Sequence, residues 1–133
     1  MDPTKKVTRT FLRTEESMNR YMQISEERKR LGQKPTHFTD WHEGLIKEFT
    51  HWVIVTNEFP YDAIASTSHM ISTKREVAFD WALLSPEELA EFDQIKRDYI
   101  RSNYDVLYEN LPSGATISNH FHLHLLILRR EEN

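Results

Sequence analysis

The chain has 133 residues, of which 38% are apolar and 29% charged, and its net charge is −4 with neutral histidines. This balance predicts one folded domain with a hydrophobic core and argues against a disordered chain or a dedicated nucleic-acid-binding protein. The chain has no cysteine and only 3 glycines, which excludes disulfides, thiolate chemistry and glycine-rich phosphate loops.

The first half of the sequence predicts one helix followed by two strands. Residues 14–31 have acidic residues at their start, basic residues at their end and a following glycine, which is typical of a helix. The segment WHEGLIKEF fits either a helix or a strand. The segment THWVIVTN predicts a strand that ends at Asn57, and HMISTK predicts a second, short strand after a connection that contains Pro60.

The second half predicts a helix and two further strands. Ser85, Pro86 and Glu88 form the N-terminal signature of a helix, and apolar residues at helical spacing continue to about residue 101. The segments NYDVLYE and ATISNHFHLHLLILRR predict strands. Because strands and helices do not alternate regularly, we expect an α+β domain with a largely antiparallel sheet. No apolar run approaches about 20 residues and no signal peptide is evident, so we expect a cytoplasmic protein without a membrane span.

Three of the seven histidines, His120, His122 and His124, alternate with apolar residues in the last predicted strand. Successive side chains of a strand point to opposite faces, so these imidazoles should share one face while Phe121 and Leu123 lie on the core side. Three interpretations are open: a histidine-rich face without function, a metal site, or phosphate chemistry. In the phosphate interpretation, the imidazoles supply a nucleophile, N–H donors and a proton source.

The stretch HFHLHLL resembles the His-φ-His-φ-His-φ-φ signature of the histidine triad (HIT) superfamily, in which φ is apolar. The stretch WVIVTNEFPYDAIASTSHMISTKR is similar to the N-terminal half of a HIT domain, and a helix that begins LSPEELAEFDQI lies between the two stretches. The resemblance implies a HIT-like domain over residues 46–133, with about five strands and a helix after the strand of the upstream histidine. Residues 1–45 would form an added N-terminal helical extension packed on that domain.

The resemblance also implies a nucleotide hydrolase or nucleotidyl transferase. Its middle histidine, His122, would attack phosphorus and form a covalent nucleotidyl-histidine, while His120 and His124 would hold or orient phosphate. His69, the upstream histidine, would join the same cluster. A homodimer that binds a nucleotide or nucleoside phosphate, without a cofactor or a metal, is expected.

We expect the substrate to be bound by Asn57, Lys74 and Ser118. Asn57 matches a position that often contacts ribose in the family, although asparagine is also favoured in turns. Around His69 and before His120 the sequence departs from the family pattern, for example at Ser68. A nucleotide-binding or regulatory HIT-fold module with little catalysis, and a histidine-ligated metal-binding domain, are therefore the alternative functions.

Overall fold

The computed structural model describes residues 12–33, 41–111 and 120–130. In this part of the chain, helices pack on one five-stranded antiparallel sheet, so the predicted α+β class is confirmed. In chain order the elements are α1 (Glu15–Arg30), β1 (Leu45–Glu48), β2 (Trp52–Thr56), β3 (Ala65–Thr73), a 3-10 turn (Trp81–Leu83), α2 (Pro86–Ile95), a π-helical turn (Lys96–Ile100), α3 (Arg101–Asn103), β4 (Val106–Tyr108) and β5 (His122–Leu128). None of the helices among these residues is long and apolar enough to cross a membrane.

The strand order is β1-β2-β3-β5-β4, and every neighbouring pair is antiparallel. β5 therefore lies inside the sheet, between β3 and β4. The register of β3 with β5 pairs Ser72 with His122, Met70 with His124 and His69 with Leu125. Directly paired residues of an antiparallel sheet project from the same face, so this register decides which side chains of β3 accompany the histidines.

One face of the sheet packs against α2 and forms the main core. From β5 and the residue before it, Leu123, Leu125 and Phe121 face this helix, as the alternation predicts. The indole Nε1–H of Trp52 donates a hydrogen bond to the carbonyl oxygen of Glu88 at 2.9 Å. This bond joins β2 to the first turn of α2 and fixes the helix across the sheet.

The start of α2 follows the predicted capping box. The Ser85 hydroxyl accepts from the backbone N–H of Glu88 at 3.1 Å, and the Glu88 carboxylate accepts from the backbone N–H of Ser85 at 2.8 Å. The hydrogen bond from Arg75 to this carboxylate, at 2.7 Å, lowers the pKa of Glu88 despite its burial. Glu88 thus belongs to the helix start, and beyond α2 the π-helical turn carries the helical chain on to Asn103.

The other face of the sheet carries the histidines. The N-terminal segment, residues 12–14, and the β2–β3 connection, residues 57–64, cover it. Leu12 is fully buried against Tyr61, Ala65 and Leu126. The backbone N–H of Ala63 donates to the carbonyl oxygen of Leu12 at 3.1 Å. The histidine face is therefore a second packed layer and not an open surface.

Polar groups attach α1 to the β2–β3 connection. The N-cap residue Thr14 donates its backbone N–H and its hydroxyl to the Asp62 carboxylate, at 3.0 and 3.2 Å. Arg28 forms an ion pair with Glu58, and Arg20 donates to the carbonyl oxygen of Glu58 at 3.1 Å. No residue of α1 itself is buried. The predicted N-terminal helix therefore exists, and it contacts the connection through these polar groups and through Tyr21, whose ring meets Phe59 edge to face.

Two strands differ in extent from the sequence prediction. β3 begins at Ala65, four residues before the predicted start at His69, because pairing with β5 extends it as far as Leu128. The last strand begins at His122, so His120 precedes it, and residues 115–119 of the predicted strand lie outside the described residues. The ambiguous segment WHEGLIKEF forms a turn followed by β1.

Candidate functional site

The start of β5 brings His120, His122 and His124 together. Each imidazole is buried, with exposed fractions of 7%, 5% and 4% in that order. The rings of His122 and His124 meet edge to face, with centroids 5.3 Å apart. The imidazoles of His122 and His124 are therefore in contact, and side chains from other segments cover them.

The imidazole of His122 is oriented by a backbone hydrogen bond. Its Nδ1 lies 2.9 Å from the carbonyl oxygen of His120. A carbonyl oxygen only accepts, so Nδ1 carries the proton and the neutral ring has its lone pair on Nε2. Burial lowers the pKa of His122 and favours this neutral form. Nε2 makes no hydrogen bond within the described residues, so its lone pair is free to act as a nucleophile.

His120 is oriented by the neighbouring strand. Its Nε2 lies 2.8 Å from the carbonyl oxygen of Thr73, and therefore donates its proton to that oxygen. The hydroxyl of Ser72 donates to the carbonyl oxygen of Phe121 at 3.1 Å. These two bonds hold the chain just before β5 against the end of β3. They fix the position of the His120 carbonyl oxygen that orients His122.

At the other end of the row, His124 belongs to a buried polar cluster with Tyr61 and Asn110. The Tyr61 ring stacks on the imidazole, and its hydroxyl lies 3.2 Å from Nε2. Asn110 donates from Nδ2 to the same hydroxyl at 2.8 Å. Burial, followed by the neighbouring His122 and Arg13, holds the pKa of His124 well below its ordinary value, so the ring is neutral at pH 7. Asn110 Oδ1 and His124 Nδ1 are buried without a hydrogen-bond partner in the described part of the chain.

Arg13 places a buried positive charge beside this cluster. Its guanidinium carbon lies 4.7 Å from the ring centroid of Tyr61 and 4.9 Å from that of Tyr21. Burial lowers the pKa of Arg13, but a guanidinium remains charged at neutral pH. Sequence reasoning missed Arg13, because it precedes the HIT-like stretches and no local pattern distinguishes it from other arginines. Tyr61 follows Pro60 within the stretch WVIVTNEFPYDAIASTSHMISTKR, so the resemblance of that stretch was the signal that could have found it.

His69 does not join the histidine row, and this expectation is wrong. His69 pairs with Leu125, so it projects from the face that packs on α2. Its Nδ1 lies 2.7 Å from the hydroxyl of Tyr104, at the end of α3. Burial lowers the pKa of His69 and raises that of Tyr104 to about 12. The neighbours of His69 in the strand, Ser68 and Met70, occupy the histidine face instead.

Of the expected substrate-binding residues, Asn57 and Lys74 lie at opposite ends of the paired strands β2 and β3. Asn57 forms a turn, in which its Oδ1 accepts from the backbone N–H of Phe59 at 3.0 Å, and its contact with ribose stays a prediction. Lys74 lies 2.5 Å from the Glu48 carboxylate on β1, so its charge is already paired. Ser118 lies outside the described residues.

The metal interpretation concerns the same histidines. Over residues 12–33, 41–111 and 120–130, no group of three or more histidine, aspartate or glutamate side chains could hold a metal ion. His122 Nδ1 and His120 Nε2 both carry protons that they donate to backbone carbonyl oxygens. Coordination requires an unprotonated nitrogen, so neither of these two atoms is a ligand in this arrangement.

Solved structures include chains that are partly similar to this one. No family model matches the sequence, and no curated protein sequence matches it. A solved structure named "Hit Like Protein" is similar over 63% of this chain and 84% of its own, with 16% sequence identity and a TM-score of 0.48. At this degree of similarity, the function has to be argued from the contacts around the histidines.

Proposed function

We propose that the protein is a HIT-type nucleotide hydrolase or nucleotidyl transferase that works through a covalent adduct on Nε2 of His122. The hydrogen bond from His122 Nδ1 to the carbonyl oxygen of His120 supports this function most strongly. It leaves a lone pair on Nε2 of a neutral ring, which is the nucleophilic form of imidazole. The HFHLHLL motif of the sequence supports the same chemistry.

In the first step, His122 Nε2 attacks the phosphorus of a phosphate-linked nucleotide and forms an N–P bond. The leaving group departs with the electron pair of its bond to phosphorus. The imidazole ring becomes positively charged. The carbonyl oxygen of His120 stabilises this charge, because it accepts a hydrogen bond from the Nδ1–H of the ring. Water or the hydroxyl of a second acceptor then attacks the phosphorus and gives up its proton to solvent, while the N–P bond breaks and its electron pair returns to Nε2; this restores the neutral ring and releases the nucleotide.

The cover over the histidines favours a second candidate function, a nucleotide-binding or regulatory module with little catalysis. Tyr61 stacks on His124 and occupies its Nε2, and the three rings are at most 7% exposed. A substrate must displace part of this cover before it reaches His122. If the cover opens rarely, ligand binding would be retained while turnover would be slow.

A substrate panel with a trapping experiment tests the enzyme. The protein is incubated with an adenosine phosphoramidate, a dinucleoside polyphosphate and a nucleoside diphosphate sugar, and products are separated by chromatography. We expect turnover of at least one class and, after quenching at neutral pH, a nucleotidyl adduct on the peptide that contains His122. The His122→Ala variant should lose both.

Two other outcomes decide between the candidates. Tight nucleotide binding by calorimetry, with any residual turnover unaffected by His122→Ala, would favour the binding module. The absence of both turnover and nucleotide binding would contradict both functions. We further propose a cytoplasmic homodimer as the working form, on the HIT resemblance, and light scattering of the purified protein would measure its mass.

A further inference from the structure

Arg13 carries a buried charge that no carboxylate of the described residues hydrogen-bonds. Its side chain is 6% exposed, and its Nε donates to the carbonyl oxygen of Phe59 at 3.0 Å. The charge of Asp62 acts on Arg13, but both oxygens of that carboxylate already accept hydrogen bonds from Thr14. Buried charges in proteins are ordinarily paired, so this guanidinium lacks the partner that burial usually requires.

Aromatic rings compensate this charge only in part. Tyr21 and Tyr61 contact the guanidinium with their ring faces, through cation–π interactions. A guanidinium has five N–H donors in its plane; the bond to Phe59 uses the one on Nε, and the side chain of Tyr61 is a second hydrogen-bonding neighbour. Among the described residues, most of the donors of Arg13 therefore have no acceptor, and they suit one that binds in the plane of the guanidinium, which is the geometry preferred by phosphate and carboxylate.

The atoms next to Arg13 also lack partners. Asn110 and His124 both meet the hydroxyl of Tyr61, whose ring contacts Arg13. Asn110 Oδ1 and His124 Nδ1 are buried and unpartnered within the described residues, and both side chains are more than nine-tenths buried. Buried polar atoms in folded proteins are ordinarily paired. A ligand that offers both donor and acceptor oxygens would pair these atoms and the charge together.

We infer that Arg13, supplied by the N-terminal segment, is the anion-binding residue of the histidine site, and that its ligand is a phosphate group. The inference deepens the proposed function and rests on it for the identity of the ligand as a phosphorylated nucleoside. The phosphate oxygens accept from the guanidinium, and the cluster of Tyr61, Asn110 and His124 holds the same group beside His122. The N-terminal segment, which lies outside the HIT resemblance, thus contributes a binding residue in addition to covering the site.

Calorimetry with AMP, adenosine and inorganic phosphate tests this role of Arg13. The wild-type protein should bind AMP more tightly than adenosine, because only AMP carries the anion. Arg13→Gln should weaken AMP binding by about 10- to 100-fold, as expected for the loss of a charged hydrogen bond, and leave adenosine binding unchanged. The affinity of Arg13→Lys for AMP should lie between those of the wild type and of Arg13→Gln. Arg97→Gln, which changes an exposed arginine that pairs with Asp93, is the matched control and should bind AMP as the wild type does.

The results that overturn the inference are equal wild-type affinities for AMP and adenosine, or an equal loss of both in Arg13→Gln. If Arg13→Gln does not fold, the Nε–H resonance of Arg13 in the wild-type protein provides the second measurement. We expect it to shift on addition of inorganic phosphate or AMP but not of adenosine, and an unchanged resonance overturns the inference.

Failure of the inference and failure of the enzyme are distinguishable. AMP binding that depends on Arg13 in a protein without turnover contradicts the enzyme and supports the anion site. Turnover that continues in Arg13→Gln with an unchanged KM supports the enzyme and overturns the anion site. His122→Ala should retain the preference for AMP over adenosine, because it removes the nucleophile and not the cation.

Discussion

The ring of Tyr61 lies on the imidazole of His124, with centroids 4.5 Å apart and planes inclined by 29°. Its hydroxyl reaches Nε2 of the same imidazole at 3.2 Å, so stacking and hydrogen bonding act on one histidine. Tyr61 belongs to the β2–β3 connection, which α1 holds in place through Asp62 and Glu58. The orientation of a residue in the HIT-like motif therefore depends on a segment outside that motif.

Tyr61→Phe should destabilise the fold although it retains the stacked ring. Without the hydroxyl, Asn110 Nδ2 and His124 Nε2 lose their partner inside the protein, and we expect a cost of about 1–3 kcal/mol. Urea denaturation measures this free energy. Because both changes remove the same bond, Tyr61→Phe and Asn110→Ala should be coupled by about 0.5–3 kcal/mol, and strict additivity would contradict the cluster. Tyr108→Phe, which changes a neighbouring ring, should have little effect.

His69→Ala should retain turnover, while His122→Ala should lose it. The two histidines occupy adjacent strands, but they project from opposite faces of the sheet. His69→Ala removes one hydrogen bond to Tyr104, so its stability should fall by about 1 kcal/mol without a large change in kcat/KM. Steady-state kinetics of both variants give the comparison. Equal losses of kcat/KM would contradict the assignment of the faces.

Acid should destabilise the protein as the pH falls below about 6.5. Burial lowers the pKa of both His122 and His124 in the folded state below the ordinary value of 6.5. The unfolded chain therefore binds more protons in this range, and each buried histidine lowers the free energy of unfolding by up to about 1.4 kcal/mol per pH unit. Above this range the two states bind equally few protons, and this contribution to stability is fully present.

Urea denaturation between about pH 7.5 and about pH 5 measures this slope, which follows from linkage. His124→Gln should make the slope shallower, because one titrating group is removed. A slope that is equally steep in His124→Gln and in the wild type would contradict the neutral, buried state of His124.

Ser85→Ala should lower the free energy of unfolding by about 1 kcal/mol, the usual cost of removing an N-cap side chain. The hydroxyl of Ser85 accepts from the N–H of Glu88, and α2 packs directly on the core. Ser102→Ala, at an exposed position in α3, is the control and should change stability by no more than about 0.5 kcal/mol. Thermal unfolding of both variants provides the measurement, and equal effects would contradict the capping box.

The features that could be predicted from sequence depend on neighbours in the chain. Ser85, Pro86 and Glu88 lie within one helical turn, so their spacing alone identifies the start of α2. The two faces of β5 follow from strict alternation, which places Leu123 and His124 on opposite sides whatever the strand pairs with.

The features that could not be predicted depend on distant pairing. The face of His69 is decided by its register with Leu125, and a shift of one residue would have reversed it. Arg13 reaches Phe59 and Tyr61 only after the N-terminal segment folds back on the β2–β3 connection. Neither relationship leaves a periodic signal in the sequence, so the sequence alone does not predict the face of His69 or the position of Arg13.

The weak attachment of α1 means that this helix should open before the sheet does. No residue of α1 is fully buried, and the helix is held by hydrogen bonds and an ion pair, each of which contributes at most about 1 kcal/mol, and by the edge-to-face contact of Tyr21 with Phe59. Backbone amides of α1 should therefore exchange with deuterium long before those of β5, in a sub-global unfolding event. β5, the interior strand that carries the imidazoles, would remain folded while α1 detaches from the β2–β3 connection and binds to it again.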